Sequence, residues 1–363
     1  MRVKLSDITQ YSKGVQINGD ELVDNGDYIY LNGGINPSGR WTESNVGANT
    51  VTISEGGNSS GYINYITEPF WCGAHCYYLF NGPKNTKYLY YALKSQQDRL
   101  FAIRSGACMP NIKKSDLGKF EFEFDTNEQK QNEIVATLSR VENVIACRKR
   151  ELELLDDLIK ARFVELFGDP RSNPFGFEKK MLKDTCKVIT GNTPSRAIAE
   201  YYGDYIEWIK TDNIVSGILN PTQATESLSE KGMNVGRTVE KDSILMACIA
   251  GSIASIGRVC ITDRTVAFNQ QINAVVPEQY NILFLYVLLQ ISKDYLVEDI
   301  NMALKGILSK SKLEEKEFII PPMDLQEQFS DFVKQITKSK VAVQKTLEES
   351  QLLFDSLMQE YFG

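Results

Sequence analysis

The chain has 363 residues, of which 42% are hydrophobic and 24% charged, with a formal net charge of −7. That length exceeds what one hydrophobic core usually serves, and the composition excludes a disordered, fibrous or disulfide-scaffold protein, so two globular domains with connecting elements are expected. The acidic balance argues against a general polyanion binder, but it is uneven: residues 1–120 carry +2, 121–170 carry −5, 171–320 carry −1 and 321–363 carry −3.

The start, Met1-Arg2-Val3-Lys4, is followed by no apolar run, and no later stretch approaches the ~20 uncharged apolar residues of a membrane span. A cytoplasmic protein without membrane attachment is expected. Seven cysteines, an odd number with no regular framework, fit reduced thiols. Cys72, His75 and Cys76 offer only three ligands and no second cysteine pair, so no metal is expected there.

Within the first domain, Lys84, Lys87, Lys94, Arg99, Arg104, Lys113, Lys114 and Lys119 face only Asp98 and Asp116, a local +6. Such a stretch suits phosphates, and equally a solvated surface. Gly33-Gly34 with Gly39, and Gly56-Gly57, read as turns rather than phosphate loops. The alternation Phe120-Glu121-Phe122-Glu123-Phe124 predicts a strand with one buried face.

A long helix follows. Asp125-Thr126-Asn127 supply cap-type residues. Ile134, Leu138, Val141, Ile145, Arg148, Leu152, Leu155, Ile159, Arg162 and Leu166 then recur at alternating spacings of four and three, the seam of a coiled coil. About 40 residues of helix would extend about 60 Å, too far for one small domain to cover. Gly168-Asp169-Pro170 stops the helix and opens a linker.

The rest of the chain repeats this plan. Leu5, Asp7, Gly14 and Gly26-Asp27-Tyr28-Ile29 return as Leu182, Asp184, Gly191 and Gly203-Asp204-Tyr205-Ile206, a shift of 177. Later matches, Ser59 and Gly61 with Ser255 and Gly257, and Ser115 and Leu117 with Ser311 and Leu313, are shifted by 196. The second copy therefore carries extra residues between Thr211 and Ser255. Lys316-Glu317-Phe318-Ile319-Ile320 answers the first strand, Pro321-Pro322-Met323-Asp324 ends it and caps a second helix, and Val333, Ile336, Lys340, Val343, Leu347, Ser350, Phe354, Leu357 and Tyr361 repeat the seam. Both helices close on Phe-Gly, at 167–168 and 362–363.

Each seam finds its nearest partner in the other helix. If the copies are related by an approximate twofold axis, the helices must run antiparallel, with a globular domain expected at each end. Arg148, Arg162, Lys340 and Ser350 interrupt the apolar stripe and would fix its register.

Domain, long helix with Phe-Gly end, domain, long helix with Phe-Gly end: this order resembles the specificity subunits of type I restriction-modification enzymes over essentially the whole chain. The second half carries the closer likeness, in Gly191-Asn192-Thr193-Pro194-Ser195, Tyr201-Tyr202, Ile206-Glu207-Trp208-Ile209-Lys210-Thr211-Asp212, Ile253-Ala254-Ser255-Ile256-Gly257, Phe268-Asn269-Gln270-Gln271 and Ile319-Ile320-Pro321-Pro322 with Leu325-Gln326-Glu327-Gln328. The first domain lacks Thr-Pro-Ser and, through Trp41, Gly61-Tyr62 and Pro69-Phe70-Trp71, looks like another variety.

The resemblance implies an α+β protein in which two α/β target recognition domains, 1–124 and 170–321, are joined by antiparallel helical spacers, 125–169 and 322–363. It implies a bipartite, asymmetric target in double-stranded DNA, one half per domain. Two methyltransferase and two restriction subunits would join, and S-adenosylmethionine, ATP and Mg would serve those partners, with no cofactor on this chain. No nucleotide-binding Gly-x-x-x-x-Gly-Lys-Ser/Thr, no Asn/Asp-Pro-Pro-aromatic and no acidic-Lys nuclease pattern stands out, and a lone histidine limits acid-base chemistry, so the chain is expected to be non-catalytic.

For contact with DNA the second domain offers Thr193, Ser195, Arg196, Lys210, Thr211, Asp212, Asn213, Ser255, Asn269, Gln270 and Gln271. Gln pairs with adenine through two hydrogen bonds, and Arg or Lys with guanine. The competing reading has Thr193, Ser195 and Asn269 capping and turning the backbone. The first domain offers Asn32, Ser38, Arg40, Asn58, Ser59, Ser60, Tyr62, His75 and Arg104. Trp41, Trp71 and Trp208 read as core anchors. Rival readings are a related system whose partner fuses methylation and cleavage, a coiled-coil scaffold that binds no DNA, and a nuclease with a divergent site.

Overall fold

The fold comes from a computed structural model that describes residues 1–106, 108–298, 300 and 306–363. Two compact units divide the chain, Met1–Lys149 with Lys345–Gly363, and Arg150–Gln344. The long helices run Glu128–Phe167 and Met323–Phe362, inside the predicted segments 125–169 and 322–363. The units cut across both helices rather than setting them apart as separate modules.

The first unit opens with strand Arg2–Lys4, paired antiparallel with Glu121–Glu123, whose neighbours Phe120, Phe122 and Phe124 are buried as the alternation requires. A four-stranded antiparallel sheet has the order Gln10–Lys13, Cys76–Phe80, Thr50–Ser54, Ile63–Ile66. Beside it in the chain lies a three-stranded sheet, Gly39–Trp41, Tyr28–Leu31, Phe70–Cys72, in which the last two strands are parallel. Helix Thr86–Lys94, capped by Asn85 accepting from the Tyr88 N–H, covers the first sheet with Tyr88, Leu89, Tyr91 and Leu93.

The second unit repeats this topology. Glu178–Met181 pairs with Glu317–Ile320. The four-stranded order is Cys186–Thr190, Ile272–Pro277, Ile244–Ala247, Val259–Ile261, and strand Ile206–Ile209 runs parallel to Val266–Phe268 in the other sheet. Asn281 caps helix Ile282–Ile291, the counterpart of Asn85 at a shift of 196. Gly61 and Gly257 both adopt positive φ, 82° and 77°, which explains why glycine stands at each matched position. The extra residues follow the first parallel strand: residues 32–38 separate it from the next strand in one unit, residues 210–226 in the other, and helix Glu230–Val235 adds more.

The seam residues are all buried or half-buried, including Val141, Ile145, Leu152, Leu155, Ile336, Val343 and Leu347. In the first unit Ile134 and Leu138, near the start of one helix, share a core with Phe354, Leu357 and Phe362 near the end of the other. In the second, Ile159, Phe163 and Phe167 share one with Phe329 and Val333, so within each unit the helices meet start to end. Lys340, which breaks the stripe, is held by Asp156 at 2.6 Å. Asn127 caps the first helix, accepting from the Gln129 and Lys130 N–H groups. Asp324 does not cap the second, since that helix starts at Met323 and puts Asp324 inside its first turn.

Each Phe-Gly end inserts its ring at the same place in the repeat. Phe167 meets Phe284 at 4.8 Å, and Phe362 meets Tyr88, the residue matching Phe284, at 5.3 Å.

Candidate nucleic-acid interface

The parallel strands place one loop cluster in each unit. Leu31 pairs with Cys72 and Ile209 with Phe268, so the residues just past the strand ends correspond: Asn32 with Lys210, and Gly73-Ala74-His75 with Asn269-Gln270-Gln271. The same backbone bonds close both turns, Gly73 N–H to Leu31 O at 2.8 Å and Asn269 N–H to Ile209 O at 3.0 Å.

The matched glycines Gly14 and Gly191 lie against these turns. A Cβ on Gly14 would stand 1.8 Å from Cys72 O, and one on Gly191 2.1 Å from Asn269 O. Only glycine lets the strand pass so close.

In the second unit the Thr193 hydroxyl donates to Gln270 Oε1. Asn269, buried, accepts from the Gln271 N–H at 3.0 Å and donates to Gln271 Oε1 at 3.2 Å, which shapes the turn and aims Gln271. Arg196 lies over the rings of Tyr202 and Trp208, at 4.6 and 5.3 Å, and Lys210 over Trp208 at 5.2 Å. Both cations bond to Glu226, each at 2.7 Å. Lys210 foremost, then Arg196, holds the Glu226 carboxyl below the usual carboxylate range.

Thr211 and Ser255 are joined by Arg258, which donates to the carbonyl of each. Ser195 and Asp212 lie exposed nearby in sequence, Ser195 accepting through its carbonyl from the Ile198 N–H. Asn213 is buried, accepting from the Lys210 N–H and donating to Thr222 and Gln223, so its side chain is spent on the loop.

In the first unit the candidates fall into two places. Asn32, Ser59 and His75 gather at the strand ends: Asn32 accepts from the His75 N–H at 3.2 Å, and Ser59 donates to Gly33 O at 2.6 Å. Glu55 sits beside His75 Nδ1 at 3.5 Å and bonds to Lys13. Arg104 joins Asn58 O at 3.3 Å and packs on Phe101, while the Tyr62 ring carries Lys94 at 3.9 Å. Ser60 is fully buried against Glu55 O. Ser38 and Arg40 lie apart at the edge strand, where Arg40 bonds to the Gly26 and Asp27 carbonyls.

Trp208 is a core residue, 3% exposed, as read from the sequence, yet its ring also carries the two cations. Trp41 and Trp71 pack edge to face at 6.3 Å. The thiols of Cys72 and Cys76 are buried while the His75 side chain is exposed beside Glu55. Among the described residues no group of His, Cys, Asp and Glu is placed to hold a metal ion, and no helix is long and apolar enough to cross a membrane.

The basic stretch is partly consumed within the protein: Lys84 pairs with Glu128, Lys87 with Glu142, and Lys94 bonds to Ile63 O and Gln97. Glu226 and Arg258 were missed by sequence reasoning, because the partners Arg196, Lys210 and Thr211 that place them lie 30, 16 and 47 positions away.

The extended loop is anchored by Glu207, which takes Arg264 through two bonds of 2.9 and 2.8 Å and also the Ala224 N–H. Arg264 foremost, with the Ala224 N–H, lowers the Glu207 carboxyl from its ordinary value. A depressed carboxylate stabilises the fold above its unfolded pKa, about 4.3, and that contribution is lost as pH falls through the folded value. Acid titration followed by hydrogen exchange should show the 213–226 loop loosening below about pH 4. Glu207→Gln should weaken the loop already at pH 7, by about 1–3 kcal/mol, and flatten its acid response. An unchanged acid response in that variant would assign the anchor elsewhere.

Sequence and structure comparisons identify the class. The model of the type I restriction modification DNA specificity domain matches the chain twice, over residues 1–156 and 174–350. The chain belongs to the family of type I restriction-modification specificity subunits.

It is similar to a putative type I specificity subunit of Mycoplasma genitalium, 36% identical over 152 residues, 40% of this chain and 39% of that protein, so the match spans well under half of that relative. The type I restriction enzyme HindI specificity subunit of Haemophilus influenzae is 35% identical over 120 residues, 32% of this chain and 25% of that one. The MjaIX specificity subunit of Methanocaldococcus jannaschii is 26% identical over 300 residues, 75% of this chain and 67% of that one.

Among solved structures, an S subunit of a type I restriction-modification system from M. genitalium superposes with a TM-score of 0.64 at 21% identity, covering 100% of this chain and 96% of that one. A structure from work on complex assembly and conformational transition of the type I R-M system gives 0.55 at 14% identity, covering 99% and 96%. At these identities the likeness is one of fold.

Proposed function

We propose that this chain is the sequence reader of a type I restriction-modification system: each unit reads one half of a bipartite, asymmetric site in double-stranded DNA. The chain itself carries no catalysis. Two methyltransferase subunits, using S-adenosylmethionine, and two restriction subunits, using ATP and Mg, dock on it and act in the cytoplasm.

The observation that carries this reading is the loop cluster built twice at the same register with different side chains, Asn32 and His75 in one unit, Lys210 and Gln271 in the other. One backbone frame with two side-chain sets suits two different half-sites. Two readers are needed because each correct base pair contributes only about 1–3 kcal/mol of discrimination. Globular parts of near-neutral charge, +2 over residues 1–120 and −1 over 171–320, suffice if the partners supply much of the phosphate attraction.

The test is to express the chain with its methyltransferase partner in a host lacking such methylation and to sequence the modified bases. A two-part motif with a fixed gap is expected. Methylation without sequence preference, or at one short continuous motif, would overturn the proposal.

A further inference from the structure

We propose that Glu226 is a specificity-determining residue of the second unit, a carboxylate that masks Arg196 and Lys210 from phosphates and leaves them to base edges. This inference rests on the reading of that unit as a DNA reader.

One carboxylate bridges both cations: Oε2 takes Arg196 Nη2 and Oε1 takes Lys210 Nζ, each at 2.7 Å. Its backbone is fixed as well, the Glu226 carbonyl accepting from the Trp208 N–H at 3.1 Å. The cations are held from below by aromatic rings, Arg196 over Tyr202 and Trp208, Lys210 over Trp208. Tyr202 is itself tied through its hydroxyl to Pro194 O at 2.6 Å. The cluster is thus a pre-formed platform bearing two positive charges and one negative charge, and its two cations are fixed in direction.

A phosphate approaching either cation meets the like charge of Glu226 in direct contact with it. A guanine edge presents neutral acceptors and meets no such repulsion, and a cytosine or adenine amino group can donate to the carboxylate itself. Discrimination built by opposing the wrong contact is a recognised route to specificity. The residue sits at the end of the segment 210–226, whose counterpart in the first unit is the shorter 32–38, and Asn32 there replaces Lys210. The masking carboxylate and the cation it masks arrive together.

The test uses the full chain assembled with its methyltransferase partner, and measures affinity for a duplex carrying the recovered motif and for a scrambled duplex over a range of salt. Glu226→Gln, which unmasks both Arg196 and Lys210, should bind the scrambled duplex about three- to tenfold more tightly, with a salt slope steeper by about 0.9–1.8, the value of one or two further phosphate contacts. The ratio of motif to scrambled affinity should fall by at least that factor. The triple variant Arg196→Gln, Lys210→Gln and Glu226→Gln removes both unmasked cations together with the carboxylate and should return the slope to that of the unsubstituted chain or below it.

Unchanged scrambled affinity and slope in Glu226→Gln, or a slope that stays steep in the triple variant, would overturn the masking role alone. Absence of any preference for the motif in the unsubstituted assembly would overturn the DNA-reading proposal, and this inference with it.

Discussion

Phe167→Ala is expected to destabilise the second unit by about 3–5 kcal/mol, the range for emptying a buried aromatic site. The ring is fully buried, and three helix-borne rings stand within 6 Å of it: Phe284 at 4.8 Å, Phe163 at 5.0 Å and Phe329 at 5.6 Å. These neighbours sit on three different helices, so the cavity has no simple way to collapse. Gly168 then turns the chain with φ at 69°, where a Cβ would meet Pro174 at 2.3 Å. Hydrogen exchange should show lost protection in Ile282–Ile291 while Thr86–Lys94 in the first unit keeps its own. Phe362→Ala should give the mirrored pattern with a smaller loss, because Phe362 is 7% exposed. A loss spread equally over both units, or one under about 1 kcal/mol, would contradict this account of the Phe-Gly ends.

Gly191→Ala is expected to displace the Asn269-Gln270-Gln271 turn. The added Cβ would lie 2.1 Å from Asn269 O and 2.5 Å from Phe268 O, both backbone atoms that a side-chain rotation cannot move. Overpacking of this kind costs about 1–3 kcal/mol where the backbone can shift. The shift would fall on the segment that aims Gln271. Thermal unfolding should register a modest loss, while exchange rates at 268–272 rise well beyond it. Gly14→Ala should do the same at the Gly73–His75 turn, where the clash with Cys72 O is closer at 1.8 Å. Amides at 268–272 that kept their protection in Gly191→Ala would show that the two strands are free to separate.

Those glycines explain why the repeat is legible in the sequence. Gly14 with Gly191, and Gly61 with Gly257, stand where a Cβ is excluded or φ is positive, so the same residue recurs in both copies while side chains around them differ. The long helices were equally legible, since seam burial imposes a spacing over 40 residues that no local effect imitates. The antiparallel sheets were only partly so: Ile244–Ala247 is covered on both faces and is apolar throughout, with no alternation to read.

The candidate interface was legible as residue types in loops but not as a network. Arg196 and Lys210 are visible as cations, whereas their shared carboxylate lies 30 and 16 positions away and is brought in by strand pairing. The basic stretch from Lys84 to Lys119 was open between phosphate contact and a solvated surface, and Lys84 and Lys87 find their carboxylates on the first long helix, which their spacing alone does not reveal.

The claim that two units read two half-sites is tested most directly by methylome sequencing of the chain with Gln270→Ala and Gln271→Ala beside the unsubstituted chain, each co-expressed with the methyltransferase. The account predicts that the bases of one half-motif become relaxed or altered while the other half and the gap between them stay as they were. Change in both halves at once, with the protein still folded, would contradict it.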